Sequence, residues 1–201
     1  MVKTTKIITP VGIASWCALN PDSPDTKFDP QWHVKLIVEK DEAATFVETA
    51  KAFYQETRAH FGMDKATNPI PISAYVDEEG NATDKLLIKC KRMSSGVKKD
   101  GTPWTNSPHV LFGADLKPFV PEGRIGKGTR LRVALAMSPY GAPKVGVKFD
   151  IISAQILDAE YYEEQASPDD FNVEEGTAAT AASPGVEDFS PAGTGGGDFN
   201  F

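Results

Sequence analysis

Lys89 and Lys91 stand two positions apart and face away from Ile88 and Cys90, while Arg130 and Arg132 do the same opposite Leu131 and Val133. In an extended chain, residues two apart share a face, so each pair makes a short cationic stripe. Such a stripe suits a polyphosphate backbone, because each phosphate neutralised by Lys or Arg releases condensed counterions. The stripes belong to a wider basic stretch. From Lys85 to Lys148 there are 13 Lys and Arg against three acids, Asp100, Asp115 and Glu122. Lys98 and Lys99 open the run Lys98-Lys99-Asp100-Gly101-Thr102-Pro103-Trp104, which reads as a hairpin loop. Lys144 closes a second turn-like run, Ser138-Pro139-Tyr140-Gly141-Ala142-Pro143-Lys144.

Basic residues on an exposed face are ordinary solvation unless something else joins them. Here aromatic residues do. A ring beside cations, at a turn where packing has little use for it, suits the stacking of an unpaired base, worth ~1–3 kcal/mol per base. Trp104 and Tyr140 are the main candidates. Trp32, followed by His33 and Lys35, is a third, with Lys35 as a further phosphate contact. Trp16, next to Cys17, reads as core. The candidate nucleic-acid contacts are therefore Lys35, Lys89, Lys91, Lys98, Lys99, Arg130, Arg132 and Lys144, with Trp32, Trp104 and Tyr140 as stacking residues.

Other chemistries find little support. His33, His60 and His109 are far apart and offer no metal-ligand spacing. Gly126-Lys127-Gly128 lacks the spacing of a phosphate-binding P-loop. Cys17 and Cys90 form neither a disulfide framework nor a Cys-x-x-Cys pair. No enzyme, metal or cofactor is expected. No apolar run of 18 or more residues would span a membrane, and Met1–Pro10 lacks the apolar core of a secretory signal. The cysteines are then expected to be reduced core residues.

The elements that must position these residues are mostly strands. Arg130–Met137 alternates most clearly, with Leu131, Val133, Leu135 and Met137 on one side. Val145, Val147, Phe149 and Ile151 alternate too, and then the apolar set changes parity to Ile152, Ala154 and Ile156. A bulge near Ile151–Ile152 would explain the change. Lys6–Ala18 reads as a strand bent at Pro10 and Gly12. His33–Val38 and Leu86–Lys91 are further strands, and Val110–Phe112 is a weaker one. One helix is expected over Asp41–Phe61, from Phe46, Ala50, Phe53 and Thr57 at helical spacing, with Gly62 as its stop. Regular βα alternation is missing, so a parallel doubly wound sheet is excluded. About five principal strands with a helix after the second make a mainly β fold. A five-stranded oligonucleotide/oligosaccharide-binding (OB) barrel capped by the helix is the natural candidate. Pattern alone leaves a β-sandwich open.

The charge is split along the chain. The whole carries 21 Lys and Arg against 28 Asp and Glu, for a net −7. No Lys or Arg follows Lys148, and Asp158 to Phe201 holds 11 acids. The 36 residues from Ala166 are rich in Gly, Pro, Ala, Ser and Thr, and read as a disordered tail. Residues 1–165 are then the folded domain and 166–201 the tail. Asp-Phe recurs in the tail at Asp170-Phe171, Asp188-Phe189 and Asp198-Phe199, and the last residue is Phe201. Asp188, Phe189, Asp198, Phe199 and Phe201 read as acidic-aromatic docking units for partner proteins. The tail also carries enough charge to compete with a polyanion for the basic body.

Several of these stretches together resemble the single-stranded DNA-binding proteins of T7-like phages. They are Lys6-Ile7-Ile8-Thr9-Pro10-Val11-Gly12-Ile13-Ala14, Leu87-Ile88-Lys89-Cys90, Gly126-Lys127-Gly128-Thr129-Arg130-Leu131-Arg132-Val133 with Ser138-Pro139-Tyr140, and the acidic tail ending in Phe201. The resemblance implies an OB-fold that coats single strands without sequence preference and promotes annealing during phage replication and recombination. It also implies a tail whose terminal aromatic docks the DNA polymerase and the helicase-primase, a possible homodimer, and a place in the infected cell's cytoplasm. This tail is less acidic than the family's, and its repeated Asp-Phe units are an addition. Two other readings remain. One is an adaptor or structural phage protein that binds proteins through the Asp-Phe tail, with an incidental basic face. The other is an enzyme on a small barrel, which would need a carboxylate pair or histidine cluster.

Overall fold

The computed structural model describes residues 2–27, 29–62, 66–141 and 143–162. The tail and the docking units read in it, from Asp170 to Phe201, lie outside the described residues. The elements run β1 (Thr5–Ile8), β2 (Gly12–Ala18), β3 (Gln31–Glu39), α1 (Ala44–Phe61), β4 (Ile72–Val76), β5 (Ala82–Met93), β6 (Ser95–Val97), β7 (Pro103–Thr105), β8 (Val110–Phe112), β9 (Arg130–Gly141) and β10 (Val145–Asp158).

Alternation builds the ring. In β3, Trp32, Val34, Leu36 and Val38 are buried while the residues between them reach outward. In β9, Leu131, Val133, Leu135 and Met137 are fully buried. These inward rows meet in one core because the strands close on themselves. β9 pairs with β2, β2 with β3, β3 with β5, β5 with β10, and β10 back with β9. All of these pairs are antiparallel except β5–β10. The result is a closed five-stranded barrel, the OB architecture, with one helix. The β5–β10 seam is thin, a single register pair, Asp150 opposite Lys91. Beside it the Asn68–Pro71 segment bridges the gap, where Val147 N–H donates to the Pro69 carbonyl (2.7 Å) and Lys89 N–H to the Pro71 carbonyl (2.9 Å).

The helix starts at Ala44, after a turn that includes Asp41 and Glu42, rather than at Asp41 itself. Its stripe of Phe46, Ala50, Phe53, Tyr54 and Thr57 is buried. Phe46 meets Phe149 of β10 edge-on at 5.5 Å, so α1 packs on the barrel core. Gly62 caps it with a positive φ of 60°, donating its N–H to the Arg58 carbonyl at 2.9 Å, a conformation that suits glycine.

The expected single strand over Lys6–Ala18 is two. β1 and β2 both lie beside β9, and Thr9 at the break holds Val133 through two hydrogen bonds of 2.9 Å. The parity change in β10 is a bulge. Ile151 opposes Leu135 and Ser153 opposes Ala134, leaving Ile152 as the extra residue, turned outward. One strand, β4, has no counterpart in the sequence reading, and the loop read at Lys98–Trp104 holds the turn of a true hairpin. β4 pairs on the edge of β5, and β6 with β7 forms a separate two-stranded hairpin. No helix among the described residues is long and apolar enough to cross a membrane.

Candidate nucleic-acid interface

The outward rows of β2, β3 and β5 meet in register. Trp16 lies opposite Lys35, Lys35 opposite Lys89, and His33 opposite Lys91. Around them runs an open groove of about 710 Å³. Its walls carry Lys27, Lys35, Lys89, Lys91 and Lys148, with Tyr140 from the end of β9. Cys90, Val34 and Phe149 form the floor.

Trp16 is one of two tryptophans that sequence reasoning put in the wrong place. It is 48% exposed, not core. The cause is a bulge in β2. Ala14 opposes Leu36 but Trp16 opposes Lys35, so Ser15 is the extra residue and its hydroxyl donates to the Lys35 carbonyl at 3.3 Å. Without it, strict alternation would put Trp16 on the same side as buried Ala14. With it, Ile13 and Trp16 both face out and Cys17 faces in.

Charge surrounds the indole. The Lys35 ammonium sits 5.3 Å from its ring centroid and the His33 ring 6.2 Å away at a 31° tilt. Asp25 accepts a hydrogen bond from His33 Nε2 at 2.9 Å, and that bond with the Lys27 backbone N–H holds its carboxyl below the ordinary carboxylate range. Lys148 pairs with Asp150 at 3.1 Å. Among the described residues, Lys35, Lys89 and Lys91 have no carboxylate within ion-pair distance. A cationic groove of this kind repels cations and draws polyanions.

Tyr140 belongs to β9, which runs on to Gly141, rather than to a turn. It opposes Gly146, and a Cβ at 146 would overlap its ring. Glycine there lets the phenol lie flat across β10. Lys144 is exposed in the short turn beside it.

The other expected residues fall elsewhere. Trp32 cannot offer a face to a base. It is 2% exposed, donates its indole N–H to the Asn20 and Pro21 carbonyls (both 3.1 Å), and meets His109 edge-on at 5.5 Å. Trp104 lies in β7, and one side of its ring covers Gly96 of β6, so packing accounts for part of it. Lys98 and Lys99 sit at the tip of that hairpin, which Asp100 and Gly101 turn. The hairpin's residues do not line the groove. Arg130 and Arg132 point outward at the start of β9, ten and eight residues from Tyr140, roughly 33 and 26 Å along an extended strand. Arg132 donates to the Gln155 side chain at 2.7 Å. Arg130 lines a second hollow with Ile13, Ile37 and Lys85, where Glu39 and Glu42 balance the charge. Neither arginine lines the groove, though Arg130 lies in register with Ile13, Ile37 and Leu87, and Ile37 and Leu87 stand two residues from Lys35 and Lys89.

Cys17 and Cys90 are free and buried, and burial pushes the Cys17 thiol up to about 12. His109 is buried, which pushes its pKa down to about 4. Among the described residues, no group of three or more His, Cys, Asp and Glu could hold a metal ion.

The fold and its groove define a class, the OB barrel with a cationic, aromatic-walled outer face. No protein-family model matches the chain, and no curated protein matches it in sequence. In structure, the chain is similar to gp2.5, a single-stranded DNA-binding protein encoded by bacteriophage T7, at 18% identity and a TM-score of 0.55, covering 89% of this chain and 100% of that one. It is also similar to a C-terminal truncation of the single-stranded DNA-binding protein of bacteriophage Enc34, at 10% identity and a TM-score of 0.56, covering 77% of this chain and 86% of that one. The Enc34 protein in complex with single-stranded DNA matches at 13% identity and a TM-score of 0.55, over 77% of this chain and 87% of that one. The chain thus shares the fold of T7-like phage single-stranded DNA-binding proteins, the family its sequence resembles.

Proposed function

We propose that this protein binds single-stranded DNA without reading its sequence, in the groove between Trp16 and Tyr140, and catalyses no reaction. The observation that carries this is the half-exposed Trp16, set among Lys35, Lys89 and Lys91 with, among the described residues, no carboxylate paired to those three lysines. Lysines take the phosphates, and the open indole takes a base, which duplex DNA keeps stacked inside. The shared fold with phage proteins whose ligand is single-stranded DNA supports the reading. Lys148, Lys27 and Lys144 extend the phosphate contacts, and Trp104 with Lys98 and Lys99 makes a separate arm for a strand that leaves the groove.

In that setting the protein coats and protects single strands during phage replication and recombination and promotes their annealing. The acidic tail competes for the groove, and its Asp-Phe units and Phe201 recruit replication proteins such as a polymerase or helicase-primase. The test is the anisotropy of a labelled oligo-dT titrated with the full chain and with residues 1–165. The full chain binds, Trp16→Ala weakens binding about tenfold or more, in line with ~1–3 kcal/mol per stacked base, and the 1–165 form binds more tightly. Binding unaffected by Trp16→Ala would refute the groove, and equal affinity of the two lengths would refute the competing tail.

A further inference from the structure

One anion already sits in the groove. Asp25 belongs to the loop between β2 and β3, and its backbone pairs with Gln31 through two hydrogen bonds of 2.8 and 3.0 Å. That pairing turns its carboxylate into a hollow whose other charged walls are lysines. There it meets His33 Nε2 at 2.9 Å, while the His33 ring lies 6.2 Å from the Trp16 ring. A carboxylate and a phosphodiester oxygen ask the same of a site, an N–H donor and nearby positive charge.

We propose that the seat of the Asp25 carboxylate is a phosphodiester subsite, and that Asp25 is an internal stand-in which the strand displaces. The inference rests on the single-strand reading given above. A base stacked on Trp16 has a phosphate within one nucleotide of His33. As that phosphate arrives, the Asp25 side chain rotates out to solvent, and the His33 N–H passes from carboxylate to phosphate. No covalent bond changes. The stand-in keeps His33 oriented in the free protein and raises the threshold for small anions. A polyphosphate chain, held at the same time by Lys35, Lys89 and Lys91, overcomes it.

The test compares the full chain with Asp25→Asn and with Asp22→Asn, an exposed acid of the same loop that does not line the groove. The probe is labelled oligo-dT at neutral pH and low salt. Removing one negative charge from the seat should tighten binding roughly three- to tenfold, and Asp22→Asn should stay within about twofold. A second measurement uses the unaltered chain. The ring-nitrogen resonance of His33 Nε2 should shift when oligo-dT saturates the groove. If the unaltered chain binds but Asp25→Asn matches Asp22→Asn or binds more weakly, the seat is wrong while the single-strand reading stands. An unmoved His33 resonance at saturation has the same consequence. If the unaltered chain fails to bind oligo-dT, the single-strand reading falls and the seat falls with it.

Discussion

Single residues in this barrel are placed by the backbone beneath them. Trp16 is outward because Ser15 is an extra residue, and Tyr140 lies flat because Gly146 has no side chain. Gly146→Ala should therefore tilt the phenol without unfolding the barrel, since the overlapping atoms are the far end of a movable side chain. Oligo-dT affinity should drop several-fold while the melting temperature moves by a few degrees at most; an unchanged affinity would remove Tyr140 from the site. His109 makes a prediction about stability. Its folded pKa, about 4, lies below the ordinary histidine value of 6.5. The unfolded chain therefore takes up the proton first, so stability is full above about pH 6.5 and is lost as pH falls towards 4. The loss is on the order of 3 kcal/mol, at ~1.4 kcal/mol per pKa unit. Urea unfolding at pH 7 and pH 4.5 should show this fall in the native chain and a smaller one in His109→Leu. One misplacement had a signal in the sequence. Trp32, expected to stack on a base, shares its parity with Val34, Leu36 and Val38, and that parity marks it as buried. The exposure of Trp16 was hidden, because nothing in Gly12–Ala18 distinguishes a bulged strand from a regular one.

At the scale of elements, strong alternation carried most of the information. β9, the bulge in β10 and the stripe of α1 are written in side-chain periodicity, and the structure follows them. Short elements were legible only in part: Val110–Phe112 and the hairpin loop at Lys98–Trp104 could be read, but β4 and the strands that pair to make the hairpin could not. β4 takes its place by pairing with the edge of β5, and β6 and β7 pair only with each other, so their register comes from partners and turns rather than from hydrophobic pattern. The position of Arg130 and Arg132 outside the groove was also out of reach, because both pairs obey the same period and only strand register places them. The β6–β7 hairpin allows a clean experiment. It joins no other strand, and Asn106 anchors its base to the Met93 and Ser94 carbonyls. Replacing residues 96–104 with a short turn should leave the barrel's circular dichroism and melting nearly unchanged. If Trp104, Lys98 and Lys99 hold a departing strand, affinity should fall for long oligo-dT and stay the same for short. Equal losses at both lengths would place the hairpin in the main site.

For the whole molecule, a net charge of −7 hides a cationic face. Residues before Asp158 carry all 21 basic side chains, and five lysines converge on one groove. Binding should therefore follow the groove's local charge rather than the net charge. Five phosphate contacts would give a log–log salt dependence with a slope of roughly −3.5, at about −0.7 per contact on single strands. Tryptophan fluorescence tests the central claim most directly, since Trp32 is sealed in the core and Trp16 lies in the groove. The full chain is titrated with oligo-dT and with a duplex of the same length, at low and at high salt. The account predicts saturable quenching by the single strand, relieved by salt, with a weaker response to the duplex. No quenching, or the same quenching by both, would contradict it.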